Sequence, residues 1–365
     1  MSLFKNFINY LKIKNKEKKI FFYSESLFYK NYYINAVEYL LLNKKEVILL
    51  TSDLEEYENL KSEFETIYIG NGLLRYLIFN IIKCDMFFLT LTDIGKNLFK
   101  SKFCKNYIYY FHAMASTHKI YTSTAFDNFD VILTLGNFHQ TEIRERERIL
   151  NLKKKKIFNS GYLYFDYLTQ NTNLKLCDKN TILFAPSWNY NKKNILNDYG
   201  EQIIESLIEN NFFVIFRPHP ENYKHNKNKI MQIEKKFKSE KFLIDNSPSN
   251  IKSMEKAGCL LTDNSAISLE YTLIFKRPSI FLNYSDKIHN KDYNLMKSIP
   301  IENTFKQEVA INLDIDQIGN IKQSLANYYN NYDSNKLKIN KFLSSNYSNI
   351  GNSKQKLLEV INSLN

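Results

Sequence analysis

Short apolar runs rich in isoleucine, phenylalanine and tyrosine alternate with helical patterns along most of the chain. A run at Lys19–Tyr23 precedes a helical pattern over Phe28–Leu42, and a second run follows at Glu46–Leu50. The other strands predicted in the first half are Thr66–Ile69, Met86–Leu91, Tyr107–Phe111, Val131–Leu135 and Ile157–Tyr162. Strands that alternate with helices form parallel sheets with right-handed crossovers. The sequence therefore predicts an α/β fold.

A boundary between two domains is suggested by composition, and 365 residues suffice for two domains of ordinary size. Polar residues dominate Thr169–Asn180, after which a new series of strands and helices begins. We therefore predict one α/β domain over residues 1–168 and a second over 181–345. A final helix within 346–365 is expected to return to the N-terminal domain.

The charge balance points to an anionic partner. Basic residues outnumber acidic ones by 50 to 38, which gives a formal net charge of +12. Such an excess suits a phosphorylated substrate or lipid headgroups. No recognised nucleic-acid-binding motif occurs, so we predict no nucleic-acid partner. The sequence contains no GxxxxGK motif, and Gly70-Asn71-Gly72 does not complete a GxGxxG motif, so P-loop and nicotinamide-binding functions are disfavoured.

The four cysteines are widely separated and form no CxxC pair. They are Cys84, Cys104, Cys177 and Cys259. This spacing is typical of reduced, mostly buried thiols in a cytosolic protein and argues against a disulfide framework or a zinc site. We accordingly predict neither a bound metal nor a cofactor.

The first residues, Met1–Lys19, alternate apolar side chains with lysines. On a helix this pattern would suit either attachment to a membrane surface or ordinary packing against the domain, and the sequence does not choose between them. No apolar run has the length of a membrane-spanning helix, and no signal-peptide pattern is present. A cytoplasmic protein peripheral to the inner membrane face is the expectation.

Two polar loops follow predicted strands in the second half of the chain. The loop Arg217–Pro220 follows Phe212–Phe216, and the loop Thr262–Ser265 follows Cys259–Leu261 and precedes a helical pattern at Ala266–Phe275. Parallel α/β sheets bind ligands where their strands end, and a helix N-terminus attracts phosphate. The two loops together predict a site for a diphosphate.

The candidate ligands in these loops combine a guanidinium fork, an imidazole and small polar side chains. They are Arg217, His219, Thr262, Asp263, Asn264 and Ser265. The simpler alternative is that Asn264 or Ser265 only caps the helix and His219 is an ordinary loop histidine.

Two histidines, His112 and His118, occupy the loop after the strand Tyr107–Phe111. An imidazole titrates near neutral pH and is a natural base for a sugar or glycerol hydroxyl. A metal pair is a weaker idea, because no acidic or cysteine ligand lies close by in sequence. One histidine, by preference His118, is expected only to hydrogen-bond the backbone.

Glu270 lies about five residues into the helix that follows Thr262–Ser265, so its carboxylate can turn back toward a ligand at the helix start. It would suit a ribose or acceptor hydroxyl, although a solvated glutamate fits the pattern nearly as well. The remaining histidines, His139, His225 and His289, belong to no pattern in the sequence.

The order of these motifs resembles the CDP-glycerol glycerophosphotransferases, which include teichoic acid glycerophosphate polymerases. The resemblance spans Tyr107–Asn283 and rests on the His112 loop, Ala185-Pro186-Ser187-Trp188, Arg217-Pro218-His219-Pro220, Thr262-Asp263-Asn264-Ser265, Glu270 and Arg277-Pro278. It implies a GT-B fold, in which two Rossmann-like domains face each other across a cleft. It also implies metal-independent transfer from a CDP-linked donor.

By the same resemblance, His112 is the base, His219 meets the donor phosphates, and Thr262 and Ser265 hold the diphosphate. We count Ser187 and His118 as further substrate-binding candidates. Two departures leave the donor open. The family's His-Gly-Thr-Pro loop here continues from His112 as Ala113-Met114-Ala115. The second serine of the family's Asp-x-Ser-Ser pattern is replaced here by Ala266.

The leading hypothesis is therefore a transferase that moves glycerol phosphate, or a similar polyol phosphate, from a CDP-activated donor to a hydroxyl of a growing cell-surface polymer or lipid-linked glycan. A GT-B glycosyltransferase or nucleotide-sugar 2-epimerase is the second possibility, and an inactive membrane-associated scaffold is the third.

Overall fold

The computed structural model describes residues 8, 10–11, 20–96, 98–189 and 193–364. Except for Ile8, Tyr10 and Leu11, the predicted N-terminal surface helix lies outside the described residues. The Tyr10 side chain is buried, and its hydroxyl donates to the Ile81 carbonyl over 3.3 Å.

The N-terminal half forms a seven-stranded parallel sheet in the order β3-β2-β1-β4-β5-β6-β7. Its strands are β1 Ile20–Ser24, β2 Val47–Thr51, β3 Thr66–Tyr68, β4 Cys84–Leu89, β5 Cys104–Tyr110, β6 Val131–Thr134 and β7 Lys156–Asn159. Its helices are Lys30–Leu42, Leu54–Leu60, Leu73–Ile81, Asn137–Ile149 and Leu163–Asn171, with a short 3₁₀ turn at Leu27–Tyr29.

The C-terminal half forms a six-stranded parallel sheet in the order β10-β9-β8-β11-β12-β13. Its strands are β8 Asp178–Phe184, β9 Phe213–Phe216, β10 Phe242–Ile244, β11 Ala257–Thr262, β12 Ser279–Asn283 and β13 Ile311–Asp314. The helices are Ile195–Glu209, Pro220–His225, Lys227–Lys236, Ile251–Lys256, Ile267–Phe275, Ile301–Glu308, Ile321–Asn330, Tyr332–Asn346 and Ser353–Leu364, with 3₁₀ turns at Tyr293–Leu295 and Ile315–Asn320. The two sheets confirm the predicted α/β fold.

Both faces of the N-terminal sheet are buried, as the near-continuous apolar strands require. Phe21 and Tyr23 of β1 point into a core on one face, whereas Ile20 and Phe22 point into a core on the other. This alternation follows from the two-residue period of a strand.

The last helix, Ser353–Leu364, packs against the N-terminal helices Lys30–Leu42 and Leu163–Asn171. Asp166 fixes its start, because one carboxylate oxygen accepts hydrogen bonds from the Ser353 amide (2.8 Å) and hydroxyl (2.5 Å). The chain therefore crosses back from the second sheet to the first before it ends.

The connection between the sheets is shorter than the sequence suggests. The helix Leu163–Asn171 extends into the predicted linker, and β8 begins at Asp178 because that residue pairs with Ala257 of β11.

Among the described helices, none combines the length and apolarity needed to cross a bilayer.

Candidate active site

Residues that follow strands of the first sheet contact two helices of the second domain across the domain boundary. The Ser116 amide and hydroxyl, in the loop after β5, donate to the Glu302 carboxylate of the second domain over 3.0 and 2.8 Å. The Tyr162 hydroxyl, which follows β7, donates to Glu270 over 2.6 Å. The cleft between these loops is where parallel α/β sheets bind ligands.

His112 lies half-buried in this cleft, directly beyond β5. The rings of Tyr29, Tyr32 and Tyr121 stand edge-on to the imidazole at 5.5, 6.2 and 6.2 Å between centroids. Burial lowers the pKa of His112 to about 4, and its buried Nδ1 has no hydrogen-bond partner among the described residues. The imidazole is thus neutral, and a nearby anion would raise its pKa and its strength as a base.

His219 lies in the opposing loop after β9 and caps the helix Pro220–His225. Its Nδ1 accepts a 3.1 Å hydrogen bond from the Glu221 amide, so the neutral ring carries its proton on Nε2. Burial, followed by the charges of Lys287 and His112, lowers the pKa of His219 well below its usual value. The two candidate catalytic histidines are therefore close enough to influence each other electrostatically across the cleft.

The loop after β11 is tied firmly to the loop after β8. Asp263 accepts hydrogen bonds from the Ser187 amide (2.8 Å) and hydroxyl (2.7 Å), and the Thr262 hydroxyl donates to the Ala185 carbonyl over 2.7 Å. Three of the predicted substrate ligands, Ser187, Thr262 and Asp263, are therefore engaged with each other or with the backbone.

The start of the helix Ile267–Phe275 remains open. No side chain caps it, because the Asn264 amide donates to the Ser285 carbonyl over 2.7 Å and its oxygen accepts from Lys306 over 3.0 Å. The Ser265 hydroxyl has no hydrogen-bond partner within the described part of the chain. Unsatisfied N–H groups at such a helix start suit a phosphate.

Arg217 does not present its fork freely to the cleft. Its guanidinium binds the Asp245 carboxylate at 2.6 Å and the Ser247 carbonyl at 2.9 Å. The predicted role of Arg217 as one of the phosphate ligands would require this ion pair to be shared or broken.

Glu270 is buried, with 3 % of its surface exposed, so the alternative of a solvated glutamate is wrong. Burial raises the pKa of its carboxyl to about 8, although the hydrogen bond from Tyr162 acts in the opposite direction. At neutral pH the group is mainly protonated and can both donate and accept a hydrogen bond.

His118 lies in the same loop as His112 but is built into the protein interior. Its Nε2 lies 2.9 Å from the Ser298 carbonyl, and its Nδ1 lies 3.5 Å from the Glu142 carboxylate. Burial is the largest single effect and lowers its pKa, but the interactions with Glu142, Glu302 and the Ser298 carbonyl together leave that pKa raised. This arrangement matches the backbone-bonding alternative rather than contact with a substrate.

A cluster around Trp188 is a feature that the sequence does not reveal. The indole lies 6.1 Å from the His219 ring, 5.9 Å from His225 and 5.5 Å from His289, and the Lys287 ammonium lies 5.6 Å above it. These residues come from three loops that are distant in sequence. In the sequence these residues share only their position, which is either in the loop after a strand or in the first helix after that loop.

No group of three or more histidine, cysteine, aspartate or glutamate side chains is placed to hold a metal ion within the described ranges.

A sequence model of the CDP-glycerol:poly(glycerophosphate) glycerophosphotransferases matches residues 108–362. The chain belongs to this family. The match includes His112, His219 and Glu270, and it confirms the resemblance seen in the sequence. The curated proteins contain no match to this chain.

Solved structures of related architecture include the wall teichoic acid polymerase TagF. It superposes with a TM-score of 0.62 at 16 % identity, over 99 % of this chain and 97 % of that one. The Methanocaldococcus jannaschii UDP-GlcNAc 2-epimerase superposes with a TM-score of 0.55 at 14 % identity, over 94 % and 99 % of the two chains. The S. aureus protein MnaA with UDP gives a TM-score of 0.60 at 11 % identity, over 95 % and 96 %. At these identities the similarity establishes the fold, and it confirms the GT-B architecture.

Proposed function

We propose that the protein transfers glycerol phosphate, or a similar polyol phosphate, from a CDP-activated donor to a hydroxyl of a growing cell-surface polymer or lipid-linked glycan. The observation that carries this proposal is the opposition of His112 and His219 across the cleft, in a chain that belongs to a glycerophosphotransferase family.

The proposed reaction is an in-line displacement at phosphorus. The acceptor oxygen forms a bond to the phosphorus that bears the glycerol, the bond from that phosphorus to the bridging oxygen breaks, and CMP leaves with the electron pair. His112 takes the proton of the acceptor hydroxyl. His219 and the open helix start at Ile267 stabilise the charge that develops on the leaving phosphate.

The tuning of His112 supports this assignment. A pKa of about 4 makes a weak base in the empty cleft. A bound diphosphate would favour the charged imidazolium and bring the pKa closer to the working pH, where general bases are most effective. The base would thus become competent only after the donor has bound.

A UDP-sugar 2-epimerase is the second candidate, favoured by the structural similarity to such enzymes. The carboxyl groups at the cleft argue against it. Asp263 is engaged by Ser187, and Glu270 is mainly neutral and bound to Tyr162. Few carboxylates therefore remain for proton transfer at a sugar carbon.

The donor assay decides between these functions. Purified protein is incubated with CDP-glycerol, CDP-ribitol and UDP-N-acetylglucosamine, with and without a poly(glycerophosphate) oligomer, and CMP, UDP and epimerised sugar are quantified. We expect CMP release from a CDP-polyol that increases with the oligomer. Epimerisation or UDP release would identify the second candidate, and no turnover of any donor would favour an inactive scaffold.

We also propose that the enzyme acts at the cytoplasmic face of the membrane, where polymer acceptors are anchored. The net charge of +12 and the alternation of lysines with apolar residues in Met1–Lys19 support attraction to anionic lipid. Deletion of residues 1–19 should weaken sedimentation with phosphatidylglycerol vesicles and leave donor hydrolysis intact. Unchanged sedimentation, or loss of folding, would instead identify the segment as a packed helix.

A further inference from the structure

Lys287 lies among the residues proposed to meet the donor phosphates, although no sequence motif marks it. Its ammonium is 5.6 Å above the Trp188 ring, which is itself 6.1 Å from the His219 ring. The residue before the tryptophan, Ser187, is bonded to Asp263 in the loop at the open helix start. Lys287 therefore stands beside both predicted diphosphate loops.

The carboxylates near this lysine are already engaged. Asp286 lies 3.3 Å from the Lys119 ammonium, and Asp263 accepts two hydrogen bonds from Ser187. Within the residues that the structure describes, Lys287 forms no ion pair. A half-buried ammonium in the cleft thus has no anionic partner of the protein's own.

The electrostatic effects agree with this geometry. Burial lowers the pKa of Lys287 to about 8, and the charges of Asp263 and Glu302 only partly oppose that shift. The lysine in turn contributes to the low pKa values of His219 and His289, after burial itself. One bound anion would favour the charged forms of Lys287, His219 and His289 and would therefore raise all three pKa values.

Arg217, the cation that the sequence assigns to the phosphates, is committed elsewhere. Its guanidinium donates hydrogen bonds to the Asp245 carboxylate and the Ser247 carbonyl. Lys287 has the chemistry to take its place, since an ammonium is a compact charge with three rotatable donors and binds phosphate well.

We propose that Lys287 binds the diphosphate of the nucleotide donor and supplies positive charge to it, while Arg217 stays paired with Asp245. This inference rests on the proposed function, because it requires a donor that contains a diphosphate. It adds a residue to the site and predicts how donor binding depends on protons.

Calorimetry with CDP tests the proposal. At about pH 8.5 the free ammonium is largely deprotonated, and a bound diphosphate should reprotonate it, so binding takes up protons. Comparing two buffers of different ionisation enthalpy measures that uptake. Lys287→Met should remove it and weaken CDP binding by about 10- to 100-fold, the range for one hydrogen bond to a charged group. Lys287→Arg should retain most of the affinity at neutral pH.

Two controls separate phosphate binding from a packing effect. Cytidine lacks phosphate, so its binding should be the same in Lys287→Met and in the wild type. Lys276→Met removes another lysine whose pKa burial lowers to about 8, outside the cleft, and should leave CDP binding unchanged.

Three outcomes would overturn the proposal in distinguishable ways. Equal CDP affinity and proton uptake in wild type and Lys287→Met would refute the role of Lys287 alone. Equal weakening of cytidine and CDP would assign the lysine to the support of Trp188. A wild-type protein that binds no nucleotide diphosphate would refute the proposed donor class and this role with it.

Discussion

The Tyr162 hydroxyl of the N-terminal domain donates a 2.6 Å hydrogen bond to the buried Glu270 carboxyl of the C-terminal domain. This bond joins the two halves of the cleft through a group that is mainly neutral at pH 7, because burial raises its pKa to about 8. The domain boundary near the site is therefore sensitive to protonation.

The first prediction concerns Glu270 and stability. In the unfolded chain the carboxyl ionises near the ordinary glutamate pKa of 4.5, whereas burial in the folded protein raises that pKa to about 8. Between these values the folded state holds a proton that the unfolded state has lost, so stability falls as pH rises through this window. Glu270→Gln removes that cost. The melting temperature of the variant minus that of the wild type should therefore increase from pH 5 to pH 8 and stay constant above pH 8.

Each kcal/mol recovered should raise the melting temperature by roughly 1 to 2 °C for a chain of 365 residues. Glu308→Gln, an exposed glutamate in the same domain, serves as the control and should show no such trend. A constant offset between wild type and Glu270→Gln across the pH range would show that Glu270 is already ionised.

The positions of the site loops could be predicted from the sequence because each follows a buried strand of four to seven residues. Apolar runs such as β9 and β11 mark their own ends, and the residues just beyond them must lie at the sheet edge. The edge strand β13 cannot be recognised in this way, since it offers only Ile311 and Leu313 as apolar residues and is largely exposed.

Interactions between loops could not be predicted from such patterns. The partner of Arg217 is Asp245, which follows a different strand, and nothing local in the sequence couples them. Lys287 and Trp188 meet in a similar way, because Trp188 follows β8 and Lys287 follows β12, and only β11 separates these two strands in the sheet. Sequence patterns identify the candidate residues, but only the fold decides which of them are already occupied.

The second prediction separates the two roles of His219. Its Nδ1 caps a helix, so His219→Ala removes both the cap and the imidazole. Asparagine is a favoured helix cap, so His219→Asn keeps the cap and removes only the imidazole. We expect His219→Asn to melt near the wild-type temperature but to lose at least roughly 10²-fold in turnover, the scale for one transition-state stabiliser. Normal turnover in His219→Asn would limit His219 to capping.

The third prediction concerns the loop after β11. Ser265→Ala should weaken CDP binding by about 1 kcal/mol without changing stability, because its hydroxyl is available to the ligand. Thr262→Val should weaken binding and also lower stability by a similar amount, since the bond to the Ala185 carbonyl is lost. Parallel calorimetry and thermal melts would distinguish them, and unaltered CDP binding in both variants would place the diphosphate elsewhere.

The fourth prediction concerns metals. If the helix start, His219 and Lys287 neutralise the donor phosphates, turnover should persist at full rate in excess EDTA. The measurement is CMP release after dialysis against the chelator, with and without added Mg²⁺ or Mn²⁺. Loss of activity that either ion restores would contradict the reaction proposed above.

The last prediction isolates the base. His112→Ala should retain CDP affinity, because the donor ligands lie on the opposite domain, yet lose transfer by roughly 10²- to 10⁴-fold, the usual range for a general base. His118→Ala provides the matched comparison within the same loop. Since His118 contacts Ser298 and Glu142, its loss should lower the melting temperature and affect transfer mainly through the position of the loop. Transfer by His112→Ala should also lose the acidic limb that protonation of the base imposes on the pH–rate profile. If His118→Ala alone abolishes transfer at unchanged stability, the base is the other imidazole of the loop. If both variants transfer normally while CDP still binds, the acceptor is deprotonated by a group outside this loop.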